Sequence, residues 1–479
     1  MKRPLSELIP LLARGLAPSA AVASGLLAPM ALEASGDLDP GFADAGRLAP
    51  IDDFDGPVWS VEALDDDGAL IAGGDIDAYC YYWFYDCDFS GSNFVGQLTD
   101  AGAIDASYTA ARPADIEVRD AARQPDGKMI AVGRKVGRRF GDNRFVVYRL
   151  ESGGSMDTTF GVAGIFELPV EVLGSRNSAN GIVLDPDGRI VVSGSHGDQL
   201  IVLRLLADGT LDDSFGDAGV FIGPLHDYDS GAHIARTAAG GYRVTTSSES
   251  QCRIIGLTSG GDMDGSFGAA GIAPVATALG NANLCNAIST LADDRLLLTG
   301  NAGGQGFAAS LLATGAPDPA FAPDAVAAAM TDATAIAAAD DGKILVAGSG
   351  DEGSKVMRLL ADGGLDPSFG NAGSTLIDLP SEHGSQPAVH ELNVRPDGSV
   401  LAVGGDLQSD TPFVIRLLGD GGGDGPGVLS VVQAGVAAAE ADQVVLNVRR
   451  TSGKSGDVSI SYETVPGDGA PATDGQDYA

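Results

Sequence analysis

The sequence predicts an all-β chain, a seven-bladed β-propeller followed by a partial β-sandwich. Three observations predict it. A Gly-x-x-Asp-x-x-aromatic motif occurs seven times between residues 36 and 369, a hairpin signal recurs at the same period, and the composition changes after Gly427. Internal repetition of this length is the signature of solenoids and propellers, so it outranks any single motif.

The motif first reads Gly36-Asp37-Leu38-Asp39-Pro40-Gly41-Phe42. Its aromatic positions are Phe42, Tyr108, Phe160, Phe215, Phe267, Phe321 and Phe369, spaced by 48 to 66 residues. Glycine suits a left-handed turn, the aspartate can accept the amides of the turn after it, and the ring offers an anchor between neighbouring units. Repeated aspartates could instead bind Ca²⁺, but one carboxylate per unit beside Leu and Phe falls short of the six or more oxygens that ion takes.

The hairpin signal is two apolar runs joined by a turn, the second ending in glycine. Ile182 to Gly194 turns at Asp187-Gly188, Ala335 to Gly348 at Asp341-Gly342, and Leu392 to Gly404 at Asp397-Gly398. Such pairs read as hairpins. A third strand follows and ends in Arg-Leu, as in Val146 to Leu150, Ile201 to Leu205 and Phe413 to Leu417. A weaker fourth strand follows the aromatic, as in Gly219-Val220-Phe221-Ile222. Four short strands per unit make a propeller blade.

The first motif copy has no hairpin before it, and the last Arg-Leu strand has no motif after it. The N-terminal copy is therefore expected to complete the last blade and join the ends of the ring, hiding two edge strands.

The pattern Leu-Asp-x-Ser-Phe-Gly-x-x-Gly with Asp-Gly-Lys-Ile-x-Val-x-Gly, clearest at Leu211 to Gly219, Leu365 to Gly373 and Asp341 to Gly348, resembles the delta-60 repeat family of bacterial proteins. Tyr108 replaces Phe, and Phe321 is followed by Ala322-Pro323. The resemblance covers about residues 36–421 and implies a propeller-like array on exported or surface proteins, with no established activity. The expected organisation is residues 1–34 as a signal peptide or N-terminal extension, 35–421 as the propeller, 422–427 as a Gly-rich linker and 428–479 as the tail.

The tail carries strand-like runs at Val428 to Val432, Val444 to Arg449 and Asp457 to Thr464. With Glu440, Val445 to Arg450, Gly453, Gly456 and Ala472 to Tyr478, it resembles the first part of a Calx-beta domain. That resemblance implies Ca²⁺ as cofactor, with Glu440, Asp474 and Asp477 as its metal ligands. Glu440 departs from the family in being followed by Ala441-Asp442-Gln443 rather than a glycine-rich turn.

Charge and composition narrow the function. Lys plus Arg is 29 against 65 Asp plus Glu, a formal charge of −36. A nucleic-acid partner needs a basic footprint and is excluded. Strong acidity fits solubility outside the cell, cation binding, or both. Met1-Lys2-Arg3, the apolar stretch from Leu8 to about Leu32, and small-residue sites at Ala21-Val22-Ala23 and Leu32-Glu33-Ala34 read as an export signal. The expected location is secreted, periplasmic or cell-surface. No later run of 18 apolar residues suggests a transmembrane span.

Blade one holds an insertion from Asp77 to Phe89. Cys80 and Cys87 suit a small disulfide loop in an oxidising compartment. Tyr81, Tyr82, Trp83, Phe84 and Tyr85 between them are candidate contacts for a protein or carbohydrate ligand, or else rings packed on the propeller. Cys252 and Cys285 either bridge two blades or are buried thiols. Arg134 to Arg139 reads as a solvated basic hairpin end. His196, His226, His233, His383 and His390 lack metal-site spacing, and no catalytic residue is identified. The expected function is a non-catalytic binding or adhesion scaffold, a monomer or part of a larger surface protein. The alternative is a propeller hydrolase or lyase acting on a sugar or lactone at the central channel. It requires two carboxylates, or a carboxylate and a histidine, converging on the axis.

Overall fold

The computed structural model describes residues 35–49, 51, 56–64, 68–81, 86–108, 110–113, 115–137, 143–169, 177–225, 232–248, 251–277, 279–378, 388–406, 411–420, 428–431 and 448–451. The chain divides into two units, one of residues 36–395 and 400–418, the other of 1–35, 396–399 and 419–479.

In the larger unit the first strand, β1 (Arg47–Leu48), pairs out of chain order. Blade one is β2 (Val58–Ala63), β3 (Ala69–Tyr81) and β4 (Asp86–Leu98). Blade two is β5 (Ile116–Arg123), β6 (Met129–Lys135), β7 (Arg144–Leu150) and β8 (Ile165–Glu167). Blade three is β9 (Asn177–Leu184), β10 (Ile190–His196), β11 (Gln199–Leu205) and β12 (Val220–Leu225). Blade four is β13 (Ile234–Arg236), β14 (Tyr242–Ser248), β15 (Gln251–Leu257) and β16 (Ile272–Pro274), followed by a two-stranded ribbon, β17 (Ala276–Thr277) and β18 (Gly280–Asn281). Blade five is β19 (Leu284–Thr290), β20 (Leu296–Ala302) and β21 (Gln305–Leu311). After helix α1 (Asp324–Ala329), blade six is β22 (Asp332–Ala338), β23 (Ile344–Gly350), β24 (Gly353–Leu359) and β25 (Ser374–Ile377). Blade seven is β26 (Ala388–Val394), β27 (Val400–Asp406) and β28 (Thr411–Leu417), with β1 as its fourth strand. Every pairing is antiparallel, and the innermost strands β2, β5, β9, β13, β19, β22 and β26 adjoin in succession, with β26 meeting β2.

The ring therefore closes as the sequence predicts. Arg47 and Leu48 pair with Ile415 and Val414, and Leu38 bridges to Leu417. Phe42, 1% exposed, fills the joint between blades seven and one.

The motif does the work its residues suggest. Its seven glycines have φ from 76° to 89°. Its aspartates accept the backbone amide two residues on, as when Asp212 Oδ1 takes Ser214 N at 3.0 Å. The other oxygen takes the arginine of the Arg-Leu strand: Arg204 Nε meets Asp212 Oδ2 at 2.8 Å, and Arg416 meets Asp39 at 2.7 Å. The same guanidinium lies 4.8 Å from the centre of the Phe215 ring and donates to Ser259 O of the next blade at 2.5 Å. Arg149, Arg358 and Arg416 stack on their own motif phenylalanines in the same way, while in blade four, where Gly256 holds the arginine position, Arg243 of β14 stacks on Phe267 in its place. Gln97 and Ser310 hold that position in blades one and five. In blade five Arg295, immediately before β20, reaches Asp318 at 3.1 Å in its place.

Blade five departs from the expected four strands. The run Asp324-Ala325-Val326-Ala327-Ala328-Ala329 forms α1, Val326 is fully buried, and the helix packs on β21. Alanine is the strongest helix former, so this segment covers the edge as a helix. Blade one has three strands among the described residues. Cys252 of β15 and Cys285 of β19 form a disulfide between blades four and five, which resolves the open alternative.

In the smaller unit the described strands are β29 (Val428–Val431) and β30 (Val448–Thr451), an antiparallel pair that sets Val428 opposite Thr451. The expected strand at 457–464 and the candidate ligands Glu440, Asp474 and Asp477 lie outside the described residues, as does segment 1–34. Among the described residues no helix is long and apolar enough to cross a membrane.

Candidate functional site: the axial cavity

The innermost strands build a cavity of about 600 Å³ on the propeller axis. A one-residue bulge in six of them sets its wall. The register against the second strand slips past Trp59, Arg119, Asn180, Asn286, Thr334 and His390 in blades one, two, three, five, six and seven. A bulge re-aims the side chain it carries, and all six residues line the cavity.

The facing residue in the second strand is glycine in each of those blades: Gly73, Gly133, Gly194, Gly300, Gly348 and Gly404. A Cβ at any of them would overlap a carbonyl oxygen of the bulged strand, that of Ser178 in the case of Gly194. These glycines end the second apolar run of the sequence signal. Blade four has Thr246 at that place, and its β13 has no bulge among the described residues.

Side chains also staple each blade to its neighbour near the axis. Four seams use neutral donors to carbonyls: Ser193 to Ala232 (2.5 Å), Thr290 to Arg236 (2.8 Å), Asn286 to Ala333 (2.9 Å) and Thr334 to Val389 (2.5 Å). The three contiguous seams from blade seven to blade three use carboxyls as acceptors. Glu391 takes Val61 N at 2.6 Å, Glu62 takes Arg123 N at 2.6 Å, and Asp120 takes Ile182 N at 3.0 Å. Ser60 stands between Asp120 and Glu391; its hydroxyl donates to Asp120 Oδ1 at 2.9 Å and also meets Glu391.

The wall is thus uneven. Blades seven, one and two contribute His390, Glu391, Trp59, Glu62, Arg119 and Asp120, while Gly181, Ala287 and Ala335 stand at the Ser60 level in blades three, five and six. The guanidinium of Arg119 lies 5.0 Å from the centre of the Trp59 ring, and the His390 ring meets Trp59 edge-on at 4.1 Å. Glu117, 1% exposed, pairs with both Arg119 and Arg134.

Burial raises the Asp120 carboxyl above its ordinary range. Burial raises Glu391 further, with the charge of Asp120 adding to it. Asp332 is also raised by burial. Burial lowers His233 and His390 to about 4, so both rings are neutral at physiological pH.

The sequence did not single out these cavity residues. His233 and His390 show no metal spacing, and among the described residues no three His, Cys, Asp or Glu side chains gather to hold a metal. Arg134 corrects the reading of Arg134 to Arg139 as a solvated hairpin end: it sits in β6, bound to Glu117 on the cavity wall. Arg138 and Arg139 lie outside the described residues. Within the insertion, β3 and β4 place Cys80 directly opposite Cys87 and Tyr81 opposite Asp86. Directly opposed strand residues have Cα separations that a disulfide spans. Tyr82, Trp83, Phe84 and Tyr85 lie outside the described residues.

Closed ring and axial cavity together define a seven-bladed β-propeller. Residues 124–160, 186–215 and 339–369 match a family described as a domain of unknown function (DUF5122) beta-propeller. No curated protein matches the chain. Among solved structures, a virginiamycin B lyase from Staphylococcus aureus is 14% identical, with 78% of this chain and 98% of that one covered and a TM-score of 0.45. The Dos1 propeller is 10% identical, covering 78% of this chain and 94% of that one at a TM-score of 0.43. A puromycin hydrolase is 14% identical, covering 73% of this chain and 50% of that one at a TM-score of 0.40.

Proposed function

We propose that this protein is a non-catalytic binding scaffold, exported to the periplasm or cell surface, that holds a small polar ligand in the axial cavity. One observation carries the reading: six blades spend a bulge, with its obligatory facing glycine, to turn side chains toward one cavity. A volume of about 600 Å³ is in the range of small-molecule sites. The hydrolase or lyase alternative draws support from Asp120 and Glu391 flanking Ser60. It is the weaker reading, because both carboxyls already accept the amides that hold the seams.

Ca²⁺ binding through Glu440, Asp474 and Asp477 of the tail belongs to the same proposal and rests on the Calx-beta resemblance. The aromatic insertion at Tyr81 to Tyr85 is proposed as a second contact surface for protein or carbohydrate, with a Cys80–Cys87 disulfide, which the strand register supports, as part of the same proposal. The test is thermal unfolding of the full chain against a library of small polar compounds, and separately with Ca²⁺ and with chelator. A ligand of the folded state raises the midpoint. Silence of the whole library would end the axial reading, and indifference to Ca²⁺ would end the metal reading.

A further inference from the structure

The cavity wall is unbalanced in charge and in hydrogen-bonding sense. Its two arginines, Arg119 and Arg134, share Glu117 as partner. Asp120, Asp332 and Glu391 make no ion pair among the described residues; their partners are neutral donors, namely backbone amides, Ser60 and the Asn286 side chain. The two histidines that could have balanced them are held neutral by burial.

Unsatisfied atoms point the same way. Among the wall residues His390 Nε2 and Asn180 Oδ1 are shielded from solvent with no hydrogen-bond partner, as is one donor, Arg119 Nε. The Asn180 carbonyl oxygen requires a donor, and His390 Nε2 does so in the tautomer that carries its proton on Nδ1. A bare metal ion is not the missing group, because no three ligating side chains gather among the described residues. A molecule that balances the wall carries N–H or O–H donors toward the Asp120, Asp332 and Glu391 carboxyls.

Resting on the axial-site reading, we propose that the cavity takes a small organic cation, a hydroxylated or multivalent amine, whose ammonium faces the Asp120–Ser60–Glu391 wall. Uptake is linked to proton release: an ammonium beside the two carboxyls favours their ionised forms, and the protons they carry leave to water. The charged and titratable groups around that pair are Glu62 on β2, Arg119 beside Asp120 on β5, His390 beside Glu391 on β26, Arg134 on β6, and His233 and Asp332 elsewhere on the cavity wall.

The test is thermal unfolding of the full chain at pH 7.5 with three matched probe sets. Ethanolamine, putrescine and glucosamine are the amines; ethylene glycol, 1,4-butanediol and glucose their neutral counterparts; glycolate, succinate and glucuronate the acids. At least one amine is expected to raise the midpoint where its counterparts do not. The affinity should fall about tenfold in Asp120→Asn/Glu391→Gln, whose amides keep the seam acceptors, and likewise in Asp332→Asn should the double variant not fold. It should also weaken at pH 5. Silence of all three amines, or an amine effect unchanged in both variants, overturns the inference, the second outcome meaning general attraction to an acidic surface. Stabilisation by a neutral or acidic probe alone overturns the cationic ligand while leaving the axial site standing.

Discussion

Gly36 packs against the ring of Phe369, so closely that a Cβ on the glycine would stand 2.9 Å from the ring carbons. Gly102 meets Phe42 in the same way, and so do Gly209 and Phe160, Gly261 and Phe215, and Gly315 and Phe267. The motif glycine of one unit is thus the seat for the motif aromatic of the unit before it. Segment 36–42 offers its glycine to blade six and its phenylalanine to blade one, so the ring closes through the same joint it uses elsewhere.

That joint makes the closing segment stabilising beyond its length. Phe42→Ala should cost about 3–5 kcal/mol, the usual effect of emptying a buried aromatic site. Denaturant unfolding measures it, and hydrogen exchange should show β28 losing protection first.

The buried arginine–aspartate pair of the motif predicts a polarity in pH. Burial alone would raise Asp212, yet its bonds from Ser214 and Arg204 outweigh burial and hold it at about 2, against an ordinary 3.8. A depressed native value stabilises the fold at pH above the unfolded value and is lost as pH falls toward about 2. The loss should be about 2 kcal/mol per such site. Asp212→Asn should flatten that acid limb in an unfolding series from pH 6 to 2.

The acidic seams predict the opposite sign. Asp120 and Glu391 are raised in the native state, so the folded chain binds protons more tightly than the unfolded one. Their contribution is most favourable below the ordinary carboxyl range and is lost as pH rises through their native values. Asp120→Asn/Glu391→Gln should therefore gain stability relative to the parent as pH rises from 5 to 8, read from denaturation midpoints.

Gly194→Ala should destabilise by about 1–3 kcal/mol, because the new methyl overlaps the Ser178 carbonyl and the Phe145 ring. Denaturant unfolding measures it, and an unchanged midpoint would break the link between glycine and bulge.

Removing the interblade disulfide with Cys252→Ala/Cys285→Ala should cost about 3–4 kcal/mol, the loop-closure value for a separation of 33 residues. Calorimetry with and without reductant checks it.

Much of the fold was legible in the sequence. Seven copies of the motif gave the blade count, and the unmatched first and last copies gave the closure. Blade five escaped, although Phe321-Ala322-Pro323 and the alanine run after it broke the pattern: α1 forms where the fourth strand was expected. The axial residues escaped for another reason. Trp59, Arg119 and His390 share no residue type, since only their backbone position repeats. The glycine that ends each second run was the visible trace of that position. In the sequence it ends an apolar run, and in the structure it marks the strand facing a bulge. Charge balance on the wall is a property of residues hundreds of positions apart and has no local signature.

The axial site is the centre of this account, and filling it is the most direct trial. Asn180, at the bulge of blade three, lines the cavity, and Asn180→Trp puts an indole there, the residue type that blade one already carries at the same position as Trp59. The measurement is the thermal midpoint of the full-length variant and parent with a compound that stabilises the parent. The account predicts that ligand-linked stabilisation disappears while the unliganded midpoint stays close to that of the parent. An undiminished shift in the blocked protein would place the ligand elsewhere and contradict it.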